Sequence, residues 1–418
     1  MTNDRFELTV TAWLHEDAAA RLPDHLGAVL ALTSRTRQRP AWSSLERWLP
    51  MDTTLRPALG SVISPGRLVL AGLLVLALVG LLLVAVGSQR RLPEPFGLAR
   101  NGTFLASFDG DIHTVDPDSG QTTPLVTGDT FDFSPVFARD GSKFLFLRSD
   151  GPLGDPAILT PMVANADGSN LHAISEPMPS LDWFDWSPDG SRVAFVSAGD
   201  IYVADSSGGS ATRLDNPRPA HFVTWLPPAG DRLLYREETM RPTIVEIGAD
   251  GTGIRAITPT GATRTAYQGL SVAPDGQRIS YTRRVDDLPQ AFVLEMASGA
   301  ETQLPNADGV KQLGGVVFSP DGADVAYIRV FRDGGYQVVV APSDGSDAGK
   351  TLGPRMAPPP EGTGISVWTI FAPDGASLIV RYGDDDNGST YLLPIEGLGQ
   401  PILGSGTFQF VDVQRLAR

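Results

Sequence analysis

A short turn returns along most of this chain. It reads Trp186-Ser187-Pro188-Asp189-Gly190, Val272-Ala273-Pro274-Asp275-Gly276, Phe318-Ser319-Pro320-Asp321-Gly322 and Phe371-Ala372-Pro373-Asp374-Gly375. Two looser copies are Phe137-Ala138-Arg139-Asp140-Gly141, which lacks the proline, and Trp225-Leu226-Pro227-Pro228-Ala229-Gly230, one residue longer and without the aspartate. Proline presets φ at the first corner, aspartate folds its side chain back onto the backbone, and glycine accepts positive φ. The motif therefore marks a hairpin, and its aspartates read as structural rather than catalytic. The residues after it alternate as a strand does, as in Arg192-Val193-Ala194-Phe195-Val196 and Arg278-Ile279-Ser280-Tyr281-Thr282.

The marker glycines, 141, 190, 230, 276, 322 and 375, lie 40 to 53 residues apart. That period, filled with strands and turns, belongs to a four-stranded propeller blade and not to a helical solenoid. A second pattern supplies the outer strands: Ile201-Tyr202-Val203-Ala204-Asp205 before Gly209 and Leu214, and Ile244-Val245-Glu246-Ile247 before Asp250-Gly251 and Ile257-Thr258. The segments Thr103–Ala106, Asp111–Val115 and Gly120–Val126 form the later strands of one more unit, whose first strand is missing. The chain's last strand, Thr407–Val413, has no followers and can fill that gap, which closes the ring and removes its open edges. The expected fold is all-β, a propeller of seven four-stranded blades over residues 101–415, with six blades as the alternative.

The Ser-Pro-Asp-Gly turn with its aliphatic strand, and the later Asp-Gly turn ahead of a short strand, resemble the TolB-type WD40-like propeller repeat over about residues 101–415. The resemblance implies the fold. Propellers of this kind serve binding, assembly and sometimes catalysis, so it implies no single activity. The family's namesake works in the Tol–Pal envelope system with a different N-terminal domain, and that role is not carried over to this chain.

Residues 68–88 hold no charge and are bounded by Arg67, Arg90 and Arg91. Such a run, as a helix, spans about 30 Å and suits one passage of a bilayer. The sequence thus predicts a transmembrane helix at 67–88 and a linker at 89–100. Before it, residues 1–66 have helical spacing in Phe6, Val10, Trp13 and Leu14 and read as a small helical module. Residues 1–67 carry a net charge of +1 and the rest −16, so the acidic excess follows the apolar run. Arg35, Arg37, Arg39 and Arg47 favour an N-terminus inside the cell and a propeller outside it.

Chemistry is sparse. Without cysteine there is no disulfide, thiolate metal site or cysteine nucleophile. No nucleophile elbow, Walker loop, dinucleotide fingerprint or His-Glu-x-x-His occurs, so neither a cofactor nor a metal is called for. His113, His172 and His221 fall in separate units, and the acidic balance argues against nucleic acid. Polar residues entering the innermost strands, Asp132, Asp182, His221, Gln268 and Gln409, with Trp183 and Trp368 as aromatic anchors, are the candidate binding residues at the channel mouth. The reading is a non-enzymatic, single-pass membrane-anchored propeller that binds a protein or envelope ligand. The alternatives are an anti-sigma-like transmembrane regulator with a propeller sensor, and a propeller hydrolase or lyase.

Overall fold

The computed structural model describes residues 73–75, 93–151, 158–239, 243–258, 270–285, 288–307, 309–357, 366–383, 388–397, 399–403 and 411–418. The chain divides into two units, Met1–Ser88 and Gln89–Arg418. Of the first, only Leu73–Val75 is described, and it is helical and exposed. The N-terminal module and most of the expected span lie outside the described residues. Among the described residues no helix is long and apolar enough to cross a membrane.

The second unit consists of seven sheets, each built on four antiparallel strands. Blade 1 joins β1 (Arg100–Phe108), β2 (Asp111–Val115) and β3 (Thr122–Val126) to the chain's last strand, β30 (Val411–Leu416), in the order β3-β2-β1-β30. Blade 2 contains β4 (Phe131–Phe137), β5 (Lys143–Ser149), β6 (Ile158–Asn165) and β7 (His172–Ala173), with β8 (Met178–Pro179) also paired to β6. Blade 3 is β9 (Trp183–Trp186), β10 (Arg192–Ser197), β11 (Asp200–Asp205) and β12 (Thr212–Arg213). Blade 4 is β13 (Ala220–Trp225), β14 (Arg232–Glu237), β15 (Ile244–Gly248) and β16 (Arg255–Ala256). Blade 5 runs from β17 (Ser271–Val272) through β18 (Arg278–Val285) and β19 (Leu288–Glu295) to β20 (Glu301–Gln303). In blade 6, β21 (Val310–Leu313) and β22 (Val317–Phe318) pair one side of β23 (Asp324–Phe331), followed by β24 (Tyr336–Pro342) and β25 (Lys350–Met356). Blade 7 is β26 (Ser366–Phe371), β27 (Ser377–Gly383), β28 (Ser389–Pro394) and β29 (Gln400–Leu403).

Seven blades, not six, are present, and the last strand closes the first blade as the sequence predicts, over Val411–Leu416; residues 407–410 of the expected strand lie outside the described residues. The core shows why the ring holds. Each of seven apolar clusters joins two successive blades, and the seventh joins blade 7 to blade 1. The second strand of a blade feeds both seams through its period of two. In β10, Val193 and Phe195 pack toward blade 2, while Ala194 and Val196 pack toward blade 4. In β23, Val325 and Tyr327 face blade 5, and Ala326, Ile328 and Val330 face blade 7. A strand buried on both faces must be apolar at consecutive positions, which explains runs such as Val-Ala-Phe-Val.

Candidate functional site

The recurring turns define one end of the ring. Their glycines, Gly141, Gly190, Gly230, Gly276, Gly322 and Gly375, all have φ between 65° and 73°. Each aspartate folds back as expected: Asp189 accepts from the Ser191 N–H at 3.0 Å, Asp275 from Gln277 at 2.8 Å and Asp321 from Ala323 at 3.1 Å. The Ser319 hydroxyl holds the Asp321 carboxyl below its ordinary range, burial opposes this, and the Ala323 N–H adds to it. Successive turns touch nose to tail. A Cβ on Gly230 would meet Pro188 at 2.8 Å, and one on Gly322 would meet Pro274 at 3.2 Å.

The segment entering the propeller runs across this same end. The Gly97 N–H donates to Pro320 O at 2.9 Å in the turn of blade 6, and the Ala99 N–H to Pro373 O at 2.8 Å in that of blade 7. Arg415, near the end of β30, donates to Glu94 O at 3.1 Å and Gly97 O at 2.7 Å. Phe96 lies under the Arg139 guanidinium, 5.0 Å from the ring centre. Arg139 occupies the place where other turns have proline. It reaches Asp185 at 3.7 Å and also acts on Asp412.

Sequence reasoning missed these two carboxylates. Asp185 accepts from the Thr224 hydroxyl at 2.7 Å and the Trp225 N–H at 3.0 Å, so it ties blade 3 to blade 4. Asp412 accepts from the Phe137 N–H at 2.7 Å and ties the closing strand to blade 2. Burial pushes the Asp412 carboxyl up to about 6, opposed by the Phe137 and Val413 N–H groups and by Arg139 and Arg415. The signal was present: Asp185 stands between Phe184 and Trp186, and Asp412 between Val411 and Val413.

The opposite end carries those of the residues singled out in the sequence that are described, and the structure sorts them. Asp132 in β4 is fully buried, and Arg148 of β5 grips it through two bonds of 2.7 Å. It serves as the fixed half of an ion pair. Trp368 packs into the seam between blades 7 and 1. Gln268 and Gln409 lie outside the described residues. Asp182, Trp183 and His221 come together where the innermost strands of blades 3 and 4 begin. Trp183 is 46% exposed and packs on Phe222 with ring centres 4.6 Å apart. His221 sits at a bulge between Ala220 and Phe222, which turns it out of the ladder, and it is exposed. Burial raises the Asp182 carboxyl above its ordinary range; His221 opposes this and Glu238 adds to it.

The other two described histidines are elsewhere. His172 is held by Asn170 O at 2.7 Å and Ser206 O at 3.0 Å, and His113 meets Phe108 edge-on at 5.9 Å. Among the described residues no group of three or more histidines and acids is placed to hold a metal.

The class these observations define is a seven-bladed, ring-closed propeller with an aromatic and acidic corner at the end opposite its turns. No family model matches the sequence, and no curated protein does. Solved structures that it resembles include TolB from Acinetobacter baumannii, at 15% identity and a TM-score of 0.44, covering 60% of this chain and 65% of that one. A protein assigned as TolB from Agrobacterium tumefaciens is 19% identical with a TM-score of 0.45, covering 58% of this chain and 94% of its own. Hydrazine synthase from Kuenenia stuttgartiensis is 14% identical with a TM-score of 0.47, covering 64% and 78%. The family named from the turn motifs is thus represented among these structures, and at such identities the likeness is one of fold.

Proposed function

We propose that this chain is a single-pass membrane-anchored propeller that binds a protein partner at the end of the ring opposite its Ser-Pro-Asp-Gly turns, without catalysis of its own. The observation that carries the reading is the contrast between the two ends. Residues 93–99, the tail of the linker, lie against the turns of blades 6 and 7 and the end of β30. At the other end, Trp183 leaves nearly half of its surface open beside the exposed Asp182 carboxylate. An exposed aromatic on a rigid strand is the kind of anchor protein interfaces use. The uncharged run 68–88 and the acidic excess after it support a membrane anchor with the propeller outside the cell.

Two measurements test this. The chain has no cysteine, so Ser191→Cys supplies a single label. A membrane-impermeant maleimide should modify it in intact cells; modification only after lysis reverses the topology. A photo-crosslinker placed at His221 in the native membrane should capture a protein that the same group at Ser191 does not. Equal capture from both positions would remove the binding face.

A further inference from the structure

The blades repeat, so equivalent positions can be compared. In blade 2, Asp132 stands directly across the ladder from Arg148, and the two form a two-bonded ion pair. In blade 3 the ladder ends with Trp183 opposite Val196, and the Asp182 N–H donates to Val196 O at 3.0 Å, so Asp182 sits at the ladder's end, next to the position across from Ser197. Arg148 and Ser197 are each seven residues beyond their turn glycine, Gly141 and Gly190. Counted from the turn, the same position thus has a buried Asp paired with Arg in one blade, and an exposed Asp beside Ser in the next.

Ser197 does not replace the guanidinium. It is buried, and its hydroxyl donates instead to Pro179 O at 3.0 Å. Of the neighbouring groups, His221 acts on Asp182 through its charge, and Arg218 holds Glu237 at 3.1 Å. No described residue donates a hydrogen bond to the Asp182 carboxylate. Next to it, the Trp183 ring is exposed and held in place by Phe222. A planar cation suits this arrangement twice over. Its N–H edge matches a carboxylate, and its face stacks on indole.

We propose that Asp182 and Trp183 form a pocket for the arginine side chain of a partner protein, which takes the place at blade 3 that Arg148 fills at blade 2. The proposal rests on the reading of this end of the ring as the binding face. A protein segment is the source because further apolar side chains accompany the carboxylate: Phe222 against Trp183, and the exposed Ile158 across from Pro179, whose carbonyl holds Ser197.

The test uses the full chain in detergent and a fluorescent Gly-Gly-Arg-Gly-Gly peptide with blocked ends, followed by anisotropy. The citrulline version, equal in shape and uncharged, should bind about tenfold more weakly, and the lysine version should fall between them. Asp182→Asn should cost about tenfold, whereas Asp118→Asn, the same charge change on an exposed turn, should cost less than about twofold. Ser197→Arg should supply the guanidinium from within and abolish binding. Equal binding of the arginine and citrulline peptides, or equal losses in Asp182→Asn and Asp118→Asn, would overturn the proposal. The two readings fail separately. Capture of a partner at His221 that survives Asp182→Asn would leave the binding face and remove the arginine pocket. Peptide binding with no capture at His221 would do the reverse.

Discussion

Blades 1 and 3 reach the same four-stranded form by different routes. In blade 3 a hairpin joins the innermost strand to the second, and the turn at Asp189-Gly190 sets their register locally. In blade 1 the innermost strand arrives from the far end of the chain. Val413 pairs with Phe104 and Leu416 with Arg100, without any turn between them. Side chains take over. Gln414 donates to Gly141 O at 2.7 Å, Asp412 accepts from the Phe137 N–H, and Arg100 donates to Ala417 O at 2.9 Å. Both blades place an aspartate on the innermost strand to receive an N–H of the next blade. The difference teaches that a seam without a hairpin is held by side-chain hydrogen bonds, and it should respond to truncation, crowding and pH in ways the continuous seam does not.

The largest break removes the closing strand. Deleting 411–418 strips Val411 and Val413 from the seam between blades 7 and 1, leaves β1 as an open edge, and loses the bonds just named. Two buried valines at about 2 kcal/mol each, with several hydrogen bonds at about 1 kcal/mol each, exceed half the stability of an ordinary domain. The truncated chain should elute as aggregate and lose its cooperative thermal transition. A monomer with an unchanged transition would show that closure is dispensable. Next in size is a methyl group placed in each seam. Gly141 and Gly190 have φ of 66° and 67°. An added Cβ at Gly141 would fall 2.2 Å from Arg415 O on the closing strand, while at Gly190 the nearest atom is 3.5 Å away. Gly190→Ala should cost about 1–2 kcal/mol, the left-handed penalty alone. Gly141→Ala should cost about 3 kcal/mol or more, because backbone must move. Equal urea midpoint shifts would erase the distinction.

Asp412 gives the closing seam a pH dependence. Burial raises its pKa to about 6, against about 3.9 for a free aspartate. A group that holds its proton more tightly in the fold adds stability in acid. That contribution is complete below pH ~4 and is lost as the pH rises through about 6. The gap corresponds to at most ~3 kcal/mol. Compared with Asp412→Asn, the wild-type chain should therefore lose up to that amount between pH 4 and 7 in urea unfolding. Parallel profiles for the two chains would show that the carboxyl titrates normally.

The turns, the blade count and the closing strand were legible in the sequence because each is written locally. Proline, aspartate and glycine fix a corner, and alternation fixes a strand. Asp182, Trp183 and His221 were legible as polar or aromatic residues where strands begin. The pairing of Asp132 with Arg148 was not, since both sit in apolar surroundings that say nothing about what faces them across the ladder. Arg139 reads in sequence as a defect in the turn motif. Its purpose shows only once Asp185, Asp412 and Phe96, from three distant parts of the chain, stand around it. Long-range polar contacts of this kind leave no periodic trace.

The smallest effect sharpens what the hairpin itself contributes to the continuous seam. Ser187 is fully buried at the first position of its turn. Its hydroxyl donates to Asp189 at 2.7 Å and accepts the Arg192 N–H at 2.9 Å. Ala273 and Ala372 hold the same position in blades 5 and 7, and their turns close with the same backbone bonds, at 2.8 Å from Ala273 N to Arg278 O and from Ala372 N to Ser377 O. The backbone and the glycine are therefore enough to make the corner, and the serine adds bonds to a corner already made. Ser187→Ala should cost about 0.5–1.5 kcal/mol, less than either glycine substitution, because Asp189 keeps the Ser191 N–H and hydroxyl. A loss as large as that of Gly141→Ala would mean that the side-chain network, and not the backbone corner, holds the continuous blades together. The two kinds of seam would then differ in residues used and not in principle.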